Sequence, residues 1–145
     1  MKTSYAAALA ALAGLSVGVA HAQDRNFNVA DGQWNVAGNW LEGTVPTAAN
    51  SVYIEGGRRA RIAAYAADAN YLGVGYDTNG VLFQTAGLLT VATTTEVGGN
   101  TNAAAGLYEI SGVGQLITNK LYIGRDADNS AMNFSSTMGM RVDTD

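Results

Sequence analysis

The side chains of this sequence that could take part in chemistry are carboxylates, arginines and tryptophans. The only histidine is His21 and cysteine is absent. We therefore do not expect a catalytic nucleophile or a zinc site that needs His or Cys. A glycosidase needs two carboxylates about 5–10 Å apart, and sequence cannot show that distance. We therefore predict no catalytic residues, no cofactor and no metal site, and keep a polysaccharide lyase or hydrolase as the second alternative. The acidic candidates for that alternative are Asp77, Glu96, Glu109, Asp126 and Asp128.

Two groups of residues are candidates for binding a sugar. Trp34 and Trp40 could stack against sugar rings, and the basic residues of Arg58–Arg61 could bind an acidic polysaccharide. For the tryptophans we favour a structural role, as a plug at one end of the fold, because large aromatic side chains bury much apolar surface. For Arg58, Arg59 and Arg61 we favour a solvated strand edge, where charge discourages aggregation.

The first 22 residues have the pattern of an export signal. Lys2 precedes the run 6–19, which is almost wholly Ala, Leu, Val and Gly, and Ala20-His21-Ala22 offers the small residues that signal peptidase reads. The apolar run is too short and too mildly hydrophobic for a membrane anchor. We predict a signal peptide at 1–22, cleavage after Ala22, and a secreted or cell-surface bacterial protein without a membrane span in its mature chain.

Charge argues against nucleic-acid binding. The chain has 8 Lys and Arg against 12 Asp and Glu, a net charge of −4, and cleavage would also remove Lys2. An acidic surface gives no electrostatic attraction to phosphate backbones or anionic membranes.

A short motif recurs along the rest of the chain. It consists of Asn, an apolar residue two positions later, Val or Ile after two more, and then usually Gly. Copies begin at Asn50, Asn70 and Asn119, with a weaker one at Thr93, so the starts are 20, 23 and 26 residues apart. Periods in the twenties are typical of solenoids, in which each repeat is one coil stacked on the next.

Alternation of apolar with small or polar residues within each repeat predicts strands with one buried face. Coils stacked about 4.8 Å apart would bury those faces in one column. At one corner, Asn50, Asn70 and Asn119 would form a side-chain ladder. A second half-unit follows two of these starts, at Gly80–Gly87 and Gly106–Gly112. The spacing between the two glycines differs by one residue, so the pattern does not reveal whether Leu82 or Phe83 points inward. The residues expected in the buried column are Leu72, Val74, Val97, Leu116, Leu121 and Ile123.

The predicted fold is all-β, a parallel β-helix of about four coils. We place an N-terminal cap at 23–49 and the solenoid repeats at 50–145. The competing fold is an antiparallel β-sandwich, which also has short strands at regular spacing but does not need them to repeat in sequence.

The segments Gly32-Gln33-Trp34, Asn39-Trp40 and 46–54, followed by repeated Leu-x-Val-Gly units, resemble secreted bacterial β-helix repeat proteins. These are the autotransporter-associated β-strand repeat and PEP-CTERM-sorted kinds. The resemblance implies a right-handed helix exported to the cell surface or extracellular matrix. Residues 141–145 do not match the Pro-Glu-Pro sorting signal, which leaves open that the chain is a fragment of a longer protein.

We therefore expect a non-enzymatic structural or adhesive surface solenoid. Its expected partners are neighbouring repeats or other copies, through open solenoid ends, and extracellular polysaccharide. A carbohydrate-binding module that uses exposed Trp and Arg residues is the first alternative.

Overall fold

A computed structural model describes residues 23–101, 104–126 and 129–142. The expected signal peptide at 1–22 lies outside these ranges, as do Asp128 and residues 143–145. Within them, the helical structure is a single 3₁₀ turn, Ala37–Asn39, and no helix is long and apolar enough to cross a membrane.

The chain folds into an all-β parallel solenoid of about five turns, built from two sheets. The strands of the six-stranded sheet, in spatial order, are β1 (Gln23–Asn26), β3 (Asn50–Ile54), β5 (Ala67–Val74), β7 (Leu88–Val97), β9 (Gln115–Ile123) and β11 (Met140–Val142). Those of the five-stranded sheet are β2 (Asp31–Gln33), β4 (Arg58–Ile62), β6 (Gly80–Gln84), β8 (Gly106–Ile110) and β10 (Ala131–Phe134).

Every pairing between these strands is parallel, and consecutive coils stack in order. The antiparallel sandwich is therefore excluded. The segments that begin at Asn70 and Asn119 lie in equivalent positions of one sheet, since both Leu72 and Leu121 pair with Thr95 of β7. This confirms the solenoid prediction made from the repeats.

The solenoid has about five turns rather than the four expected. The additional turn comes from residues 23–49, because β1 pairs with β3 and β2 pairs with β4. After β2 the same segment runs back along β1, where Phe27 and Trp40 form an antiparallel bridge. It thus forms both a first coil and a cover over the outer edge of that coil.

The core lies between the two sheets and joins all the coils in one apolar cluster. Leu72, Val74, Val97 and Leu116 are buried in it. The prediction is wrong for Ile123, which is 46% exposed, and Leu121 is only partly buried. Both lie at the end of β9, where β11 pairs only with residues 116–118 and leaves this part of the strand uncovered.

The expected asparagine ladder does not form at Asn50. Its side-chain Oδ1 accepts hydrogen bonds from the backbone N–H and the hydroxyl of Thr47, and its Nδ2 donates to the carbonyl of Gln23. Between β5 and β7 at this corner, the hydroxyl of Thr93 donates a hydrogen bond to the backbone carbonyl of Asn70 at 2.6 Å. The coils are therefore linked here by bonds to backbone, because bulges near these residues interrupt β5 and β7.

Candidate functional site

Three tyrosines lie together on the outer face of the six-stranded sheet. The ring centroid of Tyr53 is 5.8 Å from that of Tyr71 and 5.9 Å from that of Tyr76, and the rings of Tyr71 and Tyr76 are 6.1 Å apart. All three side chains are half-buried. This tyrosine cluster (Tyr53, Tyr71 and Tyr76) is the main aromatic group exposed on that face among the described residues.

Glycine makes room for the tyrosine cluster. Tyr53 pairs with Gly73 in the neighbouring coil, and a Cβ at Gly73 would lie 3.1 Å from both Tyr53 Cδ1 and Tyr76 Cβ. A Cβ at Gly99 would lie 2.5 Å from Tyr76 Cδ2. The chain turns back at Gly75, whose φ of 68° favours glycine. Backbone at Gly73 and at Gly99 therefore packs closely against the Tyr76 side chain.

Carboxylates surround one side of the cluster and form an open depression of about 270 Å³. We call it the tyrosine–carboxylate depression. Its lining residues are Asp24, Asn26, Tyr53, Glu55, Tyr76 and Asp77. A second depression of about 360 Å³ adjoins it, and its lining residues are Gly56, Gly57, Asp77, Thr78 and Asn79. Because Asp77 belongs to both, the two form one elongated surface along a corner of the solenoid.

The acidic side chains of the depression are held by donors from neighbouring coils. The backbone N–H of Asp77 donates to Glu55 Oε1 at 3.0 Å, and Asn100 Nδ2 donates to Asp77 Oδ1 at 3.1 Å. Burial raises the pKa of Glu55 above its ordinary value, and the charge of Asp77 acts in the same direction. Burial, followed by the charge of Asp24, likewise raises the pKa of Tyr53. The depression is thus an acidic surface with fixed acceptors.

Glu96 extends this surface under Tyr71. The Tyr71 hydroxyl donates to Glu96 Oε2 at 2.8 Å, and burial together with this bond raises the pKa of Tyr71. Glu96 is only 3% exposed, and Arg125 Nη2 lies 3.2 Å from its Oε1. The direction of approach does not suit a hydrogen bond, so Oε1 is buried with an ion-pair partner alone. The Arg125 guanidinium also lies 5.2 Å above the ring centroid of Tyr122.

The tryptophans are not available to a ligand. Trp34 is 1% and Trp40 2% exposed, their ring centroids are 5.0 Å apart at 76°, and Phe27 packs on Trp40 at 5.1 Å. Trp40 Nε1 donates to the Trp34 carbonyl at 2.7 Å. The hypothesis that they stack against sugars is wrong, because the cover over the first coil encloses both rings.

The arginines are also placed differently from the prediction. They lie on β4, which has β2 and β6 on its two sides, so they do not occupy a sheet edge. Arg61 donates to both carboxylate oxygens of Asp31, at 2.6 and 2.7 Å, and Arg59 donates to Oδ2 at 3.3 Å. Both guanidinium groups lie over the ring of Phe83, 5.4 and 5.5 Å from its centroid. Asp31 thus offsets one of the two positive charges of Arg59 and Arg61.

Arg58 is the third member of this group. Its Nη2 lies 3.5 Å from Asn28 Oδ1, and its charge acts on Glu55 to lower the pKa of that carboxyl. Arg58 therefore lies near Asn28 and Glu55 and does not share the Asp31 partner of Arg59 and Arg61. Asp31 thus offsets one of the three positive charges on which the acidic-polysaccharide hypothesis depends.

The acidic candidates are not gathered at one place. Glu96 lies on the outer face of the six-stranded sheet, whereas Glu109 pairs with Phe83 on the five-stranded sheet. Asp126 is exposed and accepts a bond from Arg125 Nε at 3.2 Å. In the part of the chain that the structure describes, no three His, Cys, Asp or Glu side chains are grouped to hold a metal ion.

Together, these features define the class of protein as a parallel β-solenoid with an aromatic and acidic outer face. A scan against protein-family models, a search of curated proteins and a search of solved structures each give no match.

Sequence reasoning missed the tyrosine cluster. The signal that could have found it lies in the repeat motif itself, since Tyr53 and Tyr122 both stand three positions after the initial Asn. In a strand with a buried apolar column, that position points outward. Tyr76 offers no such signal, because its place depends on the turn at Gly75.

Proposed function

We propose that this protein is an exported bacterial surface or matrix protein that acts as a structural and adhesive β-solenoid, without enzymatic activity. The observation that carries the proposal is the way in which outward side chains join one coil to the next. The Asp31 to Arg61 pair and the Tyr71 to Glu96 bond each link different coils. Such a scaffold holds its outer surface rigid and offers it along the length of the solenoid.

The family assignment is part of this proposal. The Trp-bearing opening and the Val-Gly repeats resemble the autotransporter-associated β-strand repeat and PEP-CTERM-sorted proteins, and the solenoid fold is the one that this resemblance implies. Export follows from the composition of residues 1–22.

Secretion in a bacterial host tests the export step. We expect the mature protein to begin at Gln23 and to be found outside the cytoplasm, where added protease digests an affinity tag on intact cells. Replacement of the small residue at the cleavage site, Ala22→Leu, should leave an unprocessed precursor. An unprocessed wild-type protein confined to the cytoplasm would contradict the proposal.

Activity measurements test the non-enzymatic part. The purified protein, incubated with neutral and acidic polysaccharides, should release neither reducing ends nor unsaturated products above a buffer control. Release that disappears in Glu96→Gln or Asp77→Asn would instead establish the enzyme alternative, because these carboxylates lie at the aromatic surface.

Contact between copies is a further part of the proposal. Ile123, Phe134 and Met140 are each more than 40% exposed, and the end of β9 has no strand over it among the described residues. Exposed apolar side chains beside a free strand edge favour association. We expect sedimentation velocity to show a concentration-dependent oligomer that Ile123→Lys weakens. A monomer at all concentrations would remove this part.

A further inference from the structure

The tyrosine–carboxylate depression combines the two kinds of group that recognise sugars. An aromatic ring offers an apolar face on which the C–H face of a sugar ring can lie, while polar side chains fix its hydroxyl groups. Tyr53 and Tyr76 provide the rings, with centroids 5.9 Å apart and planes inclined at 56°. Both rings are partly exposed and both line the depression.

The aromatic part of the surface is preorganised. Gly73 and Gly99 leave no space for movement of Tyr76 toward the sheet, since a Cβ at either would approach its side chain to 3.1 and 2.5 Å. Tyr53 packs against Tyr71 as well as against Tyr76. A ligand therefore meets rings whose positions are already fixed, which reduces the entropic cost of binding.

The polar part of the surface determines which sugars fit. Asp24, Glu55 and Asp77 provide oxygen acceptors, and a carboxylate has more acceptor sites than the single bond that Glu55 and Asp77 each receive. Their natural partners are hydroxyl donors. A uronic acid would bring its own carboxylate against three others, and such juxtaposition of like charges is unfavourable.

The shape of the surface indicates a chain rather than a single sugar. The adjoining depression continues past Asp77 over Gly56 and Gly57, and a Cβ at Gly57 would meet nothing within 4 Å. The surface is therefore open at Gly57, and the side chains of Asp77, Thr78 and Asn79 border it. From the rings, the acceptors and this length we infer that the depression binds a polysaccharide without acidic groups. This inference names the ligand of the adhesive function proposed above, and its biological role rests on that function.

Titration calorimetry and affinity electrophoresis of the purified protein test the inference. The probes are neutral hexasaccharides (cello-, laminari-, manno- and xylo-hexaose), with hexagalacturonate as the acidic counterpart and glucose as the single sugar. At least one neutral hexasaccharide should bind, more tightly than glucose and more tightly than hexagalacturonate.

Variants then locate the binding surface. Loss of a stacking ring in Tyr76→Ala or Tyr53→Ala should weaken binding about tenfold, whereas Tyr76→Phe keeps the ring and should change it by less than about threefold. Tyr122→Ala is the matched control, since Tyr122 lies on the same face two coils beyond Gly73, outside the depression, and should bind as the wild type does. If an alanine variant fails to fold, Asp24→Arg fills the depression from an exposed position and should abolish binding.

The outcomes separate this inference from the function on which it rests. Binding of no hexasaccharide, a preference for hexagalacturonate, or equal weakening by Tyr122→Ala would overturn the inference even if the protein is secreted. An unprocessed cytoplasmic precursor would contradict the proposed export. That result does not depend on whether the purified protein binds a neutral glycan.

Discussion

The hydroxyl of Tyr108 donates a hydrogen bond to Gln84 Oε1 inside the core, between side chains of two consecutive coils. Both residues are fully buried, and Gln84 Nε2 also donates to the carbonyls of Gly87 and Gln115. A polar pair thus lies among apolar neighbours with its hydrogen bonds satisfied, which makes it sensitive to the loss of one partner.

We predict that Tyr108→Phe lowers the free energy of unfolding by about 1–3 kcal/mol, because it leaves Gln84 Oε1 buried without a donor. Urea denaturation measures the change. The same substitution at the exposed Tyr122, Tyr122→Phe, should stay within about 0.5 kcal/mol of wild type. Equal effects of the two substitutions would show that the Tyr108 hydroxyl has no special role.

Glycine at the start of β6 is required by a close approach of backbone. A Cβ at Gly80 would lie only 1.8 Å from the carbonyl oxygen of Ile54 in the preceding coil. We predict that Gly80→Ala lowers the free energy of unfolding by at least about 3 kcal/mol, since the coils must separate to admit it. Gly38→Ala, where a Cβ would meet nothing within 4 Å, should change it by less than about 1 kcal/mol. Similar urea midpoints for both variants would contradict this corner geometry.

The ion pair between coils gives the stability a pH dependence. The hydrogen bond from Arg61 holds the pKa of Asp31 below its ordinary value of 3.8. Because the folded-state pKa is the lower one, the contribution of Asp31 is present above pH 3.8 and is lost as the pH falls through the folded-state value. We therefore expect Asp31→Asn to be less stable than wild type near neutral pH, with the difference disappearing in acid.

Urea midpoints of the two proteins between pH 2.5 and 7 measure this difference. In a background with Arg59→Gln and Arg61→Gln, Asp31→Asn should have little effect at any pH, because the partners that lower the pKa are absent. A difference between Asp31→Asn and wild type that does not vary with pH would contradict the assignment.

The repeat motif was sufficient to predict that β5, β7 and β9 stack in order, because the spacing from Asn70 to Thr93 and from Thr93 to Asn119 each reflects one coil in three dimensions. The inward face of the second half-unit was not predictable from it. Gly80 pairs with Gly106, so Leu82 and Tyr108 point inward. The spacing between the two glycines of the half-unit differs by one residue in its two copies. Gly87 and Gly112 lie in the turns after β6 and β8, so this difference falls outside the paired strands.

The functional surface was harder to predict than the fold. Trp34 and Trp40 have the largest aromatic side chains in the sequence, yet packing within the first coil buries both. The arginines form a cluster in the sequence, yet Arg59 and Arg61 both pair with Asp31 of the previous coil. In a solenoid, neighbours of a side chain come from coils about 25 residues away, and a local motif does not reveal their charge or size.

The central claim is that the coils stack in parallel and in register, and a disulfide between two coils tests it most directly. Val81 and Leu107 are partners on the outer side of β6 and β8, so their Cα atoms should lie about 4.8 Å apart, and the chain has no native cysteine to interfere. Oxidation of a Val81→Cys/Leu107→Cys variant, followed by mass spectrometry of alkylated thiols, should show nearly complete disulfide formation. Val81→Cys/Glu109→Cys is out of register by two residues, with Cα atoms about 8 Å apart, and should retain its thiols. Disulfide formation in the second variant but not in the first would contradict the parallel solenoid on which every other conclusion depends.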